Sequence, residues 1–202
     1  ISLSDRDHGL MLNSTNDADV VGNLVVGAAK CTFLYDANKN LIADNRFEDC
    51  DIGIHYTAGS ARNAVTGNAF VGNRNQVKYV GTRFMEWSFE GRGNFWSDHP
   101  AFDLNGDGIA DGVYRPNDLM DHILWSQPSA ALLTGSPAVQ LVRWSQSSFP
   151  AILPGGVTDS HPLMQPITIP VPDDIAAMEA EVAGRWSKGS YDDIDTDDLG
   201  SH

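Results

Sequence analysis

The sequence predicts an all-β protein: a right-handed parallel β-helix, closed by a C-terminal cap and followed by an extended arm that ends in a short amphipathic helix. Three features require it. Gly22-Asn23-Leu24-Val25, Asp44-Asn45-Arg46-Phe47 and Gly67-Asn68-Ala69-Phe70 superpose, their asparagines 22 and then 23 residues apart. A second set of apolar patches keeps that period: Leu10-Met11-Leu12, Phe33-Leu34-Tyr35, Ile54-His55-Tyr56 and Val77-Lys78-Tyr79. The segments are short alternations broken by Gly and Asn, such as Ile52-Gly53-Ile54-His55-Tyr56, rather than the i, i+3, i+4 stripes of a helical repeat. Strands this short bury an apolar face by stacking about 4.8 Å above those of the preceding coil.

Residues 1–86 are assigned to the coils. Leu10, Phe33, Ile54 and Val77 are expected to point inward, as are Leu12, Tyr35, Tyr56 and Tyr79 or their near neighbours. Asn23, Asn45 and Asn68 are expected at a corner, where Asn tolerates the left-handed conformation and bonds to backbone of adjacent coils. Ile1 to Asn13 already reads as part of a coil, so the expectation is that earlier coils precede it or that another protein covers that end. Cys31 and Cys50 read as small buried residues, compatible with either redox compartment.

Residues 87–149 are assigned to a cap. Trp87 to Asp98 brings two of the five tryptophans to the end of the stack, where an aromatic cluster would close it. Asp103-Leu104-Asn105-Gly106-Asp107-Gly108-Ile109-Ala110-Asp111 follows the D-x-N-x-D-G-x-x-D start of a calcium loop. Side-chain oxygens at Asp103, Asn105 and Asp107 would converge on a hard cation, Ile109 would offer its carbonyl, and Asp111 would act through water. Tyr114 stands where an EF-hand has its bidentate Glu, so this is an isolated acidic loop: a structural Ca2+ site, or a plain Asx-rich turn. Ser136-Pro137 opens a short helix.

Residues 150–202 are assigned to an arm. Pro150, Pro154, Pro162, Pro166, Pro170 and Pro172 favour an extended path. Asp173 then caps a helix whose Ile175, Met178, Val182 and Trp186 form one apolar stripe, suited to docking on a partner or to lying on the solenoid. Asp192 to Asp198 reads as a solvated acidic tail.

The formal net charge of −14 opposes nucleic acid, whose binding needs Lys and Arg to replace counterions, and an anionic membrane surface. Nine acids in Asp173–Asp198, against Arg185 and Lys188, hold half of that excess. No apolar run approaches the roughly 20 residues of a spanning helix. No phosphate-binding G-x-x-x-x-G-K-[ST] loop is present.

The Asn-x-Phe repeats are followed by Gly93-Asn94-Phe95-Trp96-Ser97-Asp98, the acidic loop, Tyr114-Arg115-Pro116 and Asp159-Ser160-His161-Pro162-Leu163-Met164. In this order the motifs resemble the NosD family of periplasmic nitrous oxide reductase maturation proteins, from Gly9 to about Trp186, and specifically its C-terminal part. Asn105 and Phe95 stand where the family more usually has Asp and Tyr. The resemblance implies a periplasmic, non-catalytic accessory protein. Its partners would be an ABC transporter of NosF and NosY, the copper chaperone NosL, and nitrous oxide reductase, whose copper-sulfide centre it helps to assemble.

Cu+ favours thioether and thiolate ligands and accepts imidazole. The candidate pairs are His8 with Met11, Met120 with His122, and His161 with Met164. Met11 and His55 share a column two coils apart, and Met85 stands alone. A methionine in the core beside a satisfied surface histidine is the competing account of each pair. Copper is therefore expected only transiently, between this protein and a partner. The rival functions are a β-helix carbohydrate-active enzyme, for which Asp36, Asp44, Glu48 and Asp51 show no evident pairing, and a purely structural calcium-stabilised module.

Overall fold

A period of two puts alternate side chains on one face of a strand, and the Gly, Asn and Asp breaks turn the chain after each short run. A computed structural model describes residues 8–116, 136–137, 141 and 155–170. The first coil contributes β1 (His8–Asn13), β2 (Asp19–Val21) and β3 (Leu24–Val26). The second contributes β4 (Lys30–Tyr35), β5 (Leu41–Ala43) and β6 (Arg46–Glu48), and the third β7 (Ile52–Thr57), β8 (Ala64–Thr66) and β9 (Ala69–Val71). A fourth opens with β10 (Asn75–Val80) and is followed by β11 (Phe84–Glu86), β12 (Phe95–Trp96) and β13 (Gly156–Thr158).

Equivalent strands pair in parallel, giving the sheets β1-β4-β7-β10, β2-β5-β8 and β3-β6-β9-β12. This is the expected parallel β-solenoid. Its interior is a set of columns in register: Leu12, Leu34, Tyr56 and Tyr79; Val25, Phe47, Phe70 and Trp96; Val20, Ile42 and Val65. All but Val20 are buried, and each fully buried Val, Leu or Phe contributes about 1.5–3 kcal/mol.

Two expectations about side-chain placement need correction. Leu10 stacks on Thr32, not Phe33, so Phe33 and Tyr35 lie outside the barrel and Thr32 and Leu34 inside. Thr32 is a polar residue in an apolar column, its Oγ1 buried without a partner among the described residues, which is why aligning apolar residues shifts the second coil by one. Nor do the corner asparagines take the left-handed conformation. The residues before them do: Gly22, Asp44 and Gly67 have φ of 71°, 53° and 67°.

That turn aims each asparagine side chain along the solenoid axis. Asn45 Oδ1 accepts from the backbone N and Nδ2 of Asn23 at 2.9 and 2.8 Å, and Asn68 Oδ1 does the same for Asn45 at 3.0 and 2.9 Å. Asn94 continues the ladder into the cap. Cys31 and Cys50 are buried as expected and also joined in a disulfide, their Cα atoms 5.8 Å apart.

β13 pairs in parallel with β11, so residues from the proline-rich region return to close the end of the coils. Residues up to Ile169 form one compact unit and Pro170–His202 a second. Of the helix expected at Ser136-Pro137, only Ser136, Pro137 and Leu141 lie among the described residues. The stripe Ile175, Met178, Val182 and Trp186 lies outside them.

Candidate functional site

The residues with ligand chemistry sit on two parts of the solenoid, the cap and the outer face of the sheet β1-β4-β7-β10. In the cap, Trp96 stacks on Phe70 with ring centroids 4.4 Å apart and on Tyr114 at 4.7 Å, while Trp87 lies 6.3 Å from Trp96. This is the aromatic closure expected of the motif around Trp87 and Trp96.

Asp159 fixes the closure. It is fully buried, and its Oδ2 accepts from the Asn94 backbone N at 2.7 Å, Trp96 Nε1 at 2.8 Å and Asn94 Nδ2 at 3.2 Å. Its Oδ1 accepts from the His161 N at 3.1 Å. Burial pushes its carboxyl above the ordinary range, and the Trp96 and Asn94 donors oppose that rise. The sequence motif contained Asp159, but nothing in the spacing announced that it would end the asparagine ladder.

The acidic loop is built of short side-chain-to-backbone turns. Asp103 accepts from Gly106 N at 2.7 Å and Gly108 N at 2.9 Å, Asn105 from Asp107 N at 3.0 Å, Asp107 from Ile109 N at 2.8 Å, and Asp111 from Leu104 N at 2.8 Å. The Gly108 N–H is the main cause that holds the Asp103 carboxyl below its usual range. The returning segment anchors the loop: Ala110 N donates to Pro162 O at 2.7 Å and Met164 N to Gly108 O at 3.0 Å. Between loop and segment lies an open cavity of about 660 Å³, lined by Arg92, Asp103, Leu163, Met164 and Gln165 among others.

The copper candidates are dispersed. His161 faces Ser88, Nδ1 to Oγ 3.0 Å, while Met164 lines the cavity beside the loop. His8 and Met11 stand on β1, exposed on the outer face, with His8 Nε2 3.1 Å from Lys30 Nζ. Met11, Phe33 and His55 follow one another in register, so Phe33 separates the other two. Met120 and His122 lie outside the described residues. Among the described residues, no three His, Cys, Asp or Glu side chains converge as a metal site. Among the described residues this donor set does not fit a resident copper ion.

A family model described as "Periplasmic copper-binding protein (NosD)" matches residues 1–101, half of the chain. The chain belongs to the NosD family. It is 44% identical over 179 residues to the probable ABC transporter binding protein NosD of Stutzerimonas stutzeri, covering 81% of this chain and 41% of that protein. It is 43% identical over 178 residues to the protein of the same name in Pseudomonas aeruginosa, covering 81% of this chain and 42% of the relative. The chain thus spans about two fifths of the length of these NosD relatives. The periplasmic location of the NosD family accords with the Cys31–Cys50 disulfide, since such bonds persist in oxidising compartments.

Proposed function

We propose that this chain acts as a non-catalytic periplasmic accessory protein in assembly of the copper-sulfide centre of nitrous oxide reductase. It associates with an ABC transporter of NosF and NosY and receives copper as cargo from NosL. Membership of a periplasmic copper-binding family carries the proposal. The dispersal of soft donors supports the transient part: Met11 is 54% exposed on β1, where a partner can add the remaining ligands. His8 with Met11, His161 with Met164, and Met120 with His122 are the positions proposed to touch copper.

Co-purification with NosF and NosY in detergent tests the association, and its absence overturns it. Deleting Pro170–His202 should abolish binding if Ile175, Met178, Val182 and Trp186 dock on the transporter; retained binding removes that part. For the cargo, Cu+ should move from loaded NosL to this chain, and Met11→Ala or Met164→Ala should slow the transfer. In the same proposal, Asp103, Asn105, Asp107, Ile109 and Asp111 hold a structural Ca2+. Thermal melts with and without EGTA should then differ, and coincident curves exclude calcium.

A further inference from the structure

We propose that the outer face of the sheet β1-β4-β7-β10 is a docking surface for an extended acidic segment of a partner protein, with carboxylates received by Lys30 and Lys78. The chain carries a net charge of −14, yet none of the strands β1, β4, β7 and β10 contains an Asp or Glu. The ion pairs among the described residues join Arg46 to Glu48, Arg74 to Asp51 and Arg92 to Asp44, so neither lysine has a carboxylate within pairing distance there.

The rings of His8, Phe33 and His55 form a ridge, with centroids 5.5 and 4.8 Å apart, and Lys30 Nζ sits 4.5 Å over the Phe33 ring. Met11 and Tyr35, each 54% exposed, flank the ridge with apolar surface. His55 Nδ1 is buried without a hydrogen-bond partner among the described residues. Lys30 Nζ lies 3.1 Å from His8 Nε2, a hydrogen bond that gives the ammonium a neutral partner and no counter-charge. Carboxylates of a partner would supply that counter-charge.

The occupant follows from the spacing and the charge. The Cα atoms of Lys30 and Lys78 lie two coils and three strand positions apart, about 14 Å, which is roughly four residues of extended chain. A nucleic acid or an anionic bilayer would meet the field of the whole acidic chain, whereas a short peptide with apolar side chains meets only this patch.

The test uses the full chain and a fluorescent octapeptide with two glutamates four residues apart among leucines and serines. Saturable binding below about 1 mM is expected, weakened about tenfold in the Lys30→Glu, Lys78→Glu double variant and by raising salt to about 0.5 M. The Lys30→Gln, Lys78→Gln pair should weaken it in the same direction, and unchanged melting temperatures keep a folding defect from mimicking the loss. Binding unchanged in both double variants overturns the proposal. So does equal binding of the glutamine version of the peptide, or absence of saturable binding. Displacement by inorganic phosphate at a few mM would make the face a small-anion site, and preferential binding to phosphatidylglycerol vesicles would make it a membrane surface; either result overturns the proposal as well.

Discussion

Asp159 carries four hydrogen bonds from three residues, and an isosteric amide cannot accept them all. Asp159→Asn should lower stability by about 1–3 kcal/mol, read as a shifted urea midpoint with an unchanged slope. Gly93 makes room for it: a Cβ there would meet Asp159 Oδ1 and the His161 carbonyl inside contact distance. Gly93→Ala should therefore cost a further 1–3 kcal/mol, roughly, by forcing the latch apart. His55 gives a pH signature. Burial, then Lys30, Lys78 and His8, push its imidazole from 6.5 down to about 4 in the folded protein. The unfolded chain then binds more protons between these values. Stability is full above pH 6.5 and falls as pH drops toward 4, by about 1–2 kcal/mol after allowance for solvent screening of a half-exposed group. Denaturant titrations of His55→Phe should lose that part of the slope; an unaltered slope would refute the assignment.

The asparagine ladder takes the place of turns that would otherwise need ordered water. Asn45 is fully buried, donating to Val20 O at 2.8 Å and to Asn68 and accepting from Asn23. Asn45→Ala leaves these groups unpaired and should cost about 2–4 kcal/mol in thermal or denaturant unfolding. The same change at Asn16, on an exposed corner, should cost little. The ladder was legible in the sequence because its residues are identical and regularly spaced. The neighbouring strands were less so: Thr32 occupies a core column that Leu10, Ile54 and Val77 fill with apolar groups, and apolar matching alone chose Phe33. The glycine and aspartate before each asparagine carried the turn conformation, but the more visible asparagine drew the assignment. Trp87 and Trp96 announced a cap through their bulk. The segment that completes it, Gly156 to Met164, looked like part of an arm because prolines surround it. Lys30, His55 and Lys78 fall in different coils, and only the register brings them onto one face.

Every coil of a solenoid touches mainly its neighbours, so its stability is close to a sum of coil and interface contributions, and opening starts where a coil has one neighbour. The Cys31–Cys50 bond changes that sum. Closing a 19-residue separation restricts the unfolded chain by about 3 kcal/mol. Reduction, or Cys31→Ser with Cys50→Ser, should lower the melting temperature by about 6–12 °C for a chain of this size. A shift of less than about 2 °C would show that the second coil is held by its stacked columns alone. The oxidised protein should also resist proteolysis within residues 32–49 longer than in β11 or the acidic loop.

The bond has a mechanical consequence as well. It spans nearly one circuit of the second coil, so tension applied through the two ends of the chain bypasses the residues it encloses. Stretched in an optical trap, the oxidised protein should come out shorter by about 60 Å than the reduced one, the length of the enclosed loop at roughly 3.5 Å per residue. Any force along this solenoid would feel that coil as a closed hoop, with strands free to peel on either side of it.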